Sequence, residues 1–245
     1  MNRKSSRFLL SILLALIFGV VVGLAQAAPG VLPPNSNAFG KGYDELAVDW
    51  LVWVSAIPAS TNPLFDGDGS YAAMGQGGKV WYLVGTTGGS ATRTVTVPTG
   101  TAVFFPIVNY FWINTPEYGD PAWSDDFEAD VRALLAGLVD AADGLVVEID
   151  GRKVPNVYAL RAASPVAMCM VPADDNIFGV PLNPVPRECL ADGYWALVPP
   201  LSVGQHKIRF AGGFNDGSGF AIDVTYHVTV KPKQKVGNGA MSLHP

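Results

Sequence analysis

The stretch Phe220-Ala221-Ile222-Asp223-Val224-Thr225-Tyr226-His227-Val228-Thr229-Val230 decides the fold, because a large apolar residue recurs at every second position. Successive side chains of a β-strand point to opposite faces, so this pattern predicts a strand with one face in a core and the other in water. The stretch Gln205–Phe210 alternates in the same way. The glycine-rich connector Gly212–Gly219 between them favours their pairing as an antiparallel hairpin.

The connector favours one register for this hairpin, in which Gly213 lies opposite Gly219. This register sets complementary side chains across from each other on the solvated face, where such cross-strand pairs stabilise a sheet. The expected pairs are Arg209 with Asp223 and Gln205 with His227.

Short apolar runs bounded by glycine and proline predict further strands in the middle of the chain. Leu145–Ile149 precedes an Asp150-Gly151 turn, which is typical of a tight hairpin. The other runs are Lys79–Val84, Thr92–Val97 and Thr101–Pro106. This number of short strands indicates a β-rich fold.

Two segments have instead the three- and four-residue apolar spacing of a helix. The first lies near residues 43–56. The second lies near residues 125–142, where Asp125 and Glu128 are predicted to cap the start and Gly144 to end the helix.

Helices and strands do not alternate regularly along the chain, which argues against a doubly wound α/β fold. The sequence predicts a mainly β fold, an antiparallel β-sandwich of Ig-like or jelly-roll-like type with two helical insertions. We expect a single β-rich domain over residues 41–232, preceded by a flexible arm over 28–40 and followed by a flexible tail over 233–245.

The N-terminus has the three parts of a secretory signal peptide. A cationic start with Arg3, Lys4 and Arg7 is followed by the apolar run Phe8–Leu24 and the small-residue cleavage motif Ala25-Gln26-Ala27. We therefore predict a signal peptide over residues 1–27 and a periplasmic or extracellular mature protein. The alternative is an uncleaved membrane anchor, since the run is close to the shortest that spans a bilayer.

The charge of the mature chain limits its partners. Cleavage removes three cations and no acid, which takes the formal net charge from −5 to −8. Affinity for nucleic acid comes largely from Lys and Arg that neutralise phosphates, and anionic membranes need the same residues. We therefore expect neither nucleic acid nor a membrane surface as partner, and consider a glycan or another extracytoplasmic protein.

The chain contains two cysteines, Cys169 and Cys189. Export to an oxidising compartment favours a disulfide between them, which would stabilise the fold by about 3 kcal/mol. The alternative is a catalytic thiol, which needs a nearby base, and no histidine lies between Pro155 and Pro200.

Several motifs resemble a group of uncharacterised secreted bacterial proteins. They are Asn62-Pro63-Leu64, Gln76-Gly77-Gly78-Lys79-Val80-Trp81-Tyr82-Leu83, Arg93 with Val97-Pro98, Phe104-Phe105-Pro106, Ser164-Pro165-Val166, Pro199-Pro200-Leu201 with Gly204-Gln205-His206, and Val224-Thr225-Tyr226-His227. The resemblance implies a secreted domain and no particular activity. It also implies cysteines near Ala72 and Thr94, which this chain lacks.

A first candidate site is the segment Asp66-Gly67-Asp68-Gly69-Ser70. Oxygen side chains at alternate positions, Asp66, Asp68 and Ser70, correspond to the first half of a calcium loop. Tyr71 and Gly77 stand where an EF-hand has its glycine and its bidentate glutamate, so an Asp/Gly turn is the alternative. A calcium-stabilised structural domain is one of the functions considered.

A second candidate site is the segment 109–123, which is long for a connector without regular structure. Aromatic rings and polar groups alternate in it, as a sugar-like ligand requires, because rings cover its apolar faces and polar groups bind its hydroxyls. The candidate ligand-binding residues are Asn109, Tyr110, Trp112, Asn114, Glu117, Tyr118 and Trp123. The alternative is that these aromatic residues cap one end of the core.

The same segment offers one catalytic hypothesis, in which Glu117 and Asp120 act as the acid/base pair of a glycan-directed hydrolase. The chain has no Gly-x-Ser-x-Gly motif and only three histidines. We therefore interpret the protein as an exported β-sandwich, a non-enzymatic binding or surface module without a resident cofactor. The secreted hydrolase and the calcium-stabilised domain are its alternatives.

Overall fold

The computed structural model describes residues 30–232, so the predicted signal peptide and C-terminal tail lie outside the described residues. Ten strands in this range form two five-stranded sheets. Their bounds are β1 Val80–Tyr82, β2 Gly89–Pro98, β3 Ala102–Ile113, β4 Ala142–Ile149, β5 Arg152–Lys153, β6 Arg161–Ala163, β7 Ala167–Cys169, β8 Arg187–Val198, β9 Gly204–Phe214 and β10 Ala221–Lys231.

The two sheets pack on a shared hydrophobic core. The first sheet has the order β1-β3-β8-β6, with β7 also paired to β8, and the second has the order β2-β10-β9-β4-β5. The pairs β1/β3 and β2/β10 are parallel, while the other strand pairs of the described range are antiparallel. The predicted β-sandwich with helical insertions is confirmed.

The alternation in β10 has the predicted consequence for burial. Its large apolar side chains, Ile222, Val224, Tyr226, Val228 and Val230, are all buried between the sheets. The hairpin partner is β9, as predicted, and the turn at Asp150-Gly151 joins β4 to β5. The alternation of apolar residues in the sequence therefore predicted these strands and their buried faces correctly.

The predicted register of the β9–β10 hairpin is wrong. Gly213 lies opposite Ala221, so Arg209 faces Thr225 and Gln205 faces Thr229. The connector forms a turn of its own, in which the Ser218 amide donates to the Asp216 carboxylate and the Phe214 amide donates to the Phe220 carbonyl. Arg209 still pairs with Asp223, but diagonally across the strands, at 2.7 Å between Nη2 and Oδ2.

Helix α1, Tyr43–Ser55, covers the first sheet. Its buried face carries Leu46, Trp50 and Val54, which follow the spacing seen in the sequence. The Trp50 indole donates to the Leu83 carbonyl at 2.8 Å, so the polar edge of this buried ring is satisfied. Its ring meets Trp195 of β8 edge-on, 5.6 Å between centroids, and this contact fixes the helix on the sheet.

Helix α2, Asp125–Val139, is shorter than predicted and has a different cap. The cap is Ser124, whose hydroxyl accepts a hydrogen bond from the Phe127 amide at 3.2 Å, while Asp125 is already helical. The predicted end at Gly144 is also wrong, because the chain from residue 142 onward pairs with β9 and buries alternate residues of β4.

The segment predicted as a flexible arm contacts the domain in its described part. The Leu32 amide donates to the Leu197 carbonyl of β8 at 2.9 Å, and the Tyr43 hydroxyl donates to the Leu32 carbonyl at 2.5 Å. The Leu197 amide in turn donates to the Tyr43 hydroxyl, and burial raises the pKa of Tyr43 well above its usual range. Leu32 therefore lies against the core rather than apart from it.

Arg93 of β2 is a buried cation on the apolar face of the second sheet, only 1% exposed. Its guanidinium donates to the carbonyls of Asp66, Val84 and Gly85 and to the Tyr226 hydroxyl, at 2.8–2.9 Å. A buried carbonyl group without a hydrogen-bond donor destabilises a fold. Arg93 therefore stabilises the loops beside the sheet by donating to their buried carbonyls.

The substitution Arg93→Met should therefore destabilise the protein by at least about 3 kcal/mol, because it leaves several buried acceptors unpaired. Arg209→Met is the matched control, since it removes a partly exposed ion pair of the same sheet and should cost no more than about 1 kcal/mol. Urea unfolding of both variants measures the difference. Equal losses would show that the Arg93 hydrogen bonds are not what stabilises this edge of the sheet.

Candidate functional site

The candidate segment 109–123 is a strand in its first part. Strand β3 continues to Ile113, paired with β8, so the predicted connector begins only at Asn114. The partner strand β8 is buried along nearly its whole length, and its pairing extends β3 past Asn109, where the predicted connector was to begin. The candidate ligand-binding residues are therefore divided between two strand faces and one loop.

The tryptophans of the segment pack beneath α2. Trp112 and Trp123 both meet the Phe127 ring edge-on, at centroid distances of 6.0 and 5.6 Å. They border a small second core around Val131 and Leu135. Both rings are partly buried and pack against this core, as the alternative interpretation of the segment expected.

Asn109 and Tyr110 lie away from the loop that follows the strand. The Tyr110 hydroxyl donates to the Asp216 carboxylate at 3.0 Å, and burial, with Asp216 nearby, raises its pKa. Asn109 lines a cavity of about 40 Å³ between the sheets and has an amide nitrogen without a partner. One water molecule would fit that volume, and a sugar unit would not.

Asn114 and Glu117 come together with Arg187 in a cavity of about 450 Å³. The cavity, here called the Arg187 pocket, lies between the loop after β3 and the segment that leads into β8. Its lining residues are Asn114, Pro116, Glu117, Asn183, Val185, Pro186, Arg187 and Glu188. Arg187 and Asn114 are each 2% exposed, so the pocket has polar groups set in a buried floor.

Glu117 forms a two-pronged ion pair with Arg187. Nη1 of Arg187 donates to Oε2 at 2.9 Å and Nη2 donates to Oε1, while the Asn183 amide donates to Oε1 at 2.9 Å. Hydrogen bonding to Arg187 lowers the pKa of Glu117 to about 2. A general acid needs the opposite, a carboxyl that keeps its proton near neutral pH.

Asp120, the second residue of the catalytic hypothesis, turns back onto the loop. Its Oδ2 accepts from the amide and the hydroxyl of Thr115, at 2.7 and 2.9 Å. Tyr118 likewise donates its hydroxyl to the Pro181 carbonyl at 2.7 Å. Both side chains therefore shape the loop that carries Glu117, and neither lines the pocket.

Two buried polar atoms of the pocket residues have no hydrogen-bond partner. They are the Nε–H of Arg187, a donor, and the side-chain oxygen of Asn114, an acceptor. The other polar groups of these side chains are used, because Arg187 Nη1 donates to the Asn114 carbonyl at 2.9 Å and the Asn114 amide donates to the Pro121 carbonyl at 3.3 Å. Buried polar atoms are rarely left unpaired, and of the six such atoms in the described residues these two belong to the lining of the Arg187 pocket.

The predicted disulfide Cys169–Cys189 is present and joins β7 to β8. It closes the segment 170–186, which supplies Asn183, Val185 and Pro186 to the pocket. The bond therefore holds one wall of the Arg187 pocket against the strand that carries its floor.

Sequence reasoning missed Arg187 and Glu188. Arg187 follows a proline-rich connector, where an arginine is expected to be exposed. Its position two residues before a disulfide-bonded cysteine was the available signal, because alternation in a strand places Arg187 and Cys189 on the same face. Arg187 and Cys189 are indeed both buried.

A second cavity of about 450 Å³ lies at the tip of the β9–β10 hairpin. Glycine backbone and the rings of Phe214 and Phe220 form much of its wall. Among the described residues that line it, no buried side-chain nitrogen or oxygen lacks a partner. The Arg187 pocket is therefore the better candidate for specific recognition.

The candidate calcium loop folds as a hydrogen-bonded turn. Asp66 accepts from the amides of Asp68, Gly69 and Tyr71, and Asp68 accepts from the amide and hydroxyl of Ser70. The Ser70 hydrogen bonds lower the pKa of Asp68. Between residues 30 and 232, no group of three or more His, Cys, Asp or Glu side chains is arranged to hold a metal ion.

His206 lies between Asp150 and Ser202 in an arrangement like a serine hydrolase triad. Nδ1 is 2.8 Å from the Asp150 carboxylate, while Nε2 is 2.9 Å from the Ser202 carbonyl and 3.3 Å from its hydroxyl. The imidazole links the Asp150 turn to Ser202 through both of its ring nitrogens. His206 therefore fastens the turn before β9.

None of the helices in the described range is long and apolar enough to cross a membrane. No protein-family model matches the sequence, and no curated protein matches it. Among solved structures, the cysteine protease inhibitor EhICP2 from Entamoeba histolytica is 11% identical over 62% of this chain and 96% of that chain, with a TM-score of 0.23. Amebosin is 14% identical over 59% and 98%, with a TM-score of 0.18. Neither likeness bears on function, which rests on the site itself.

The ion pair of Glu117 predicts an acid dependence of stability. The folded pKa lies below the unfolded value of 4.5, so the stabilisation is present above about pH 4.5 and is lost as the pH falls toward 2. Glu117→Gln should therefore differ most from the natural protein above pH 4.5, and the difference in unfolding free energy should shrink toward pH 2. Urea unfolding from pH 7 to 2.5 measures this, with Asp130→Asn on α2 as control for charge loss. A pH-independent difference would contradict the assignment.

The disulfide predicts a second effect on stability. Its loss should lower the free energy of unfolding by about 3 kcal/mol, because the loop it closes becomes free in the unfolded chain. The Cys169→Ala/Cys189→Ala variant tests this in urea, and a reductant should have no further effect on that variant. A loss well under 1 kcal/mol would show that strand pairing alone holds the segment 170–186.

Proposed function

We propose that this protein is an exported, non-enzymatic binding module and that the Arg187 pocket is its ligand site. The observation that carries the proposal is the pair of unpartnered buried atoms, Arg187 Nε and Asn114 Oδ1, at a cavity of about 450 Å³. Small-ligand sites have volumes in this range and hold a few fixed polar groups between apolar walls.

The protonation state of Glu117 supports binding over hydrolysis. Its bidentate pairing with Arg187 keeps it ionised, and Asp120 bonds to Thr115 instead of facing it across a cleft. A hydrolase that used this pair would need one protonated carboxyl and a second carboxylate directed at the same substrate. The geometry supports neither requirement, whereas a fixed Glu117–Arg187 pair suits a rigid binding floor.

The disulfide and the charge of the mature chain support the predicted compartment. A structural disulfide persists in the periplasm or outside the cell, and the negative net charge argues against nucleic acid and anionic membranes. A glycan is the partner class that an extracytoplasmic pocket of this size and chemistry fits best. The aromatic residues predicted for stacking do not line it, so recognition rests on polar contacts with the floor.

Thermal unfolding of the mature protein, residues 28–245, tests the proposal against a glycan panel and Ca²⁺, with EDTA as control. A ligand of the native state raises Tm by an amount that grows with the logarithm of its concentration relative to Kd. Val185→Trp should abolish the shift given by a glycan, because Val185 lines the pocket and is 48% exposed at its rim.

Val203→Trp is the matched control, since Val203 is 59% exposed and lies outside the pocket. A glycan shift that survives in both variants would place binding elsewhere. A shift with Ca²⁺ that EDTA reverses would move the site to the Asp66 turn. No shift with any member of the panel would contradict the proposed function.

A further inference from the structure

We infer that the Arg187 pocket recognises a sugar unit without acidic groups, and that one sugar hydroxyl bridges the Nε–H of Arg187 and the side-chain oxygen of Asn114. This inference rests on the proposed function and adds the chemistry of the ligand to it. Its basis is the kind of atom left without a partner, the charge of the pocket and the nature of its walls.

The two unpartnered atoms require a group that both accepts and donates a hydrogen bond. Arg187 Nε–H needs an acceptor, and Asn114 Oδ1 needs a donor. A carboxylate or phosphate oxygen only accepts and would leave Asn114 unpaired, and an ammonium only donates and would leave Arg187 unpaired. A hydroxyl does both from a single oxygen atom.

The charges at the pocket disfavour an anion. The Arg187 guanidinium is already neutralised by Glu117, which takes both of its terminal nitrogens. Glu188 also lines the pocket, and no side chain or amide within residues 30–232 donates to its carboxylate. One cation against two carboxylates leaves negative charge in excess, so an acidic ligand is repelled.

The remaining walls fit the apolar face of a sugar ring. Pro116, Val185 and Pro186 contribute aliphatic groups beside the polar floor, and Glu188 offers acceptors for further hydroxyls. Sites of this kind combine apolar contact with a few polar groups that fix the orientation of the ligand. The unpartnered atoms, the excess of negative charge and the aliphatic walls therefore all favour a sugar without acidic groups.

The experiment compares three tetrasaccharides of equal length on the mature protein, namely cellotetraose, the chitosan tetramer and tetragalacturonate. Isothermal titration gives Kd, and ¹H–¹⁵N spectra follow the Arg187 Nε–H and the amides of Asn183 and Val185. We expect cellotetraose or the chitosan tetramer to bind at least about tenfold tighter than tetragalacturonate and to shift the Arg187 Nε–H resonance.

Two variants separate the bridging hydroxyl from the charge. Asn114→Leu should weaken the neutral or aminated tetrasaccharide by about tenfold, the loss of one buried hydrogen bond, whereas Asn215→Leu on the exposed hairpin should change nothing. Glu188→Gln should reduce several-fold the ratio of the Kd for tetragalacturonate to the Kd for the neutral or aminated tetrasaccharide. The variant should fold normally, because the Glu188 carboxylate has no partner in the described range.

The outcomes distinguish this inference from the proposed function. Tighter binding of tetragalacturonate, or shifts at Asn183 and Val185 while Arg187 Nε–H stays unmoved, overturns the inference and leaves a ligand site at the pocket. If acetamide shifts the same pocket resonances as strongly as the sugars do, the assignment of the bridging group as a hydroxyl is overturned in favour of an amide. If no probe moves any pocket resonance, the proposed function itself fails.

Discussion

Strand β8 is buried along nearly its whole length, and its polar residues therefore need partners inside the protein. Asp192 is paired with Arg161, whose guanidinium also donates to the Ala136 carbonyl at 3.1 Å and thereby attaches α2 to the sheet. Arg187 is paired with Glu117 and thereby fixes the loop after β3. Cys189 is bonded to Cys169 and holds the segment 170–186. One buried strand thus positions a helix and both walls of the candidate site.

This constraint makes the site rigid in a specific way. A buried guanidinium is costly unless its charge and its hydrogens are compensated, and Glu117 supplies the compensation from a loop that would otherwise be free to move. Thr115, held by Asp120, and Tyr118, held by the Pro181 carbonyl, tie the same loop from either side. The loop is therefore fixed before any ligand arrives, which lowers the ordering entropy that binding would otherwise cost.

The sequence predicted those elements whose pattern is local. Alternation in β10 and the apolar stripe of α1 predicted their buried faces, and the two cysteines, together with the predicted export, indicated the disulfide. Three predictions were wrong, namely where β3 ends, where α2 ends and which register the hairpin has. Each of these features depends on pairing with a distant strand or on a turn within the connector. Arg187 was missed because its burial depends on its place in the folded sheet, and the one local signal for it was the cysteine two residues further on.

The chemistry of the candidate site depends on the one hydrogen-bond donor of Arg187, its Nε–H, that Glu117 does not bind. A carboxylate that grips a guanidinium end-on occupies Nη1 and Nη2 and leaves Nε–H, which points along the side of the group. An arginine neutralised in this manner loses its preference for anions but retains one directed donor, its Nε–H. Recognition then depends on hydrogen-bond direction rather than on charge, and a hydroxyl meets that demand because a single oxygen atom both donates and accepts. The pairing that allows Arg187 to be buried therefore also determines the class of molecule that the pocket selects.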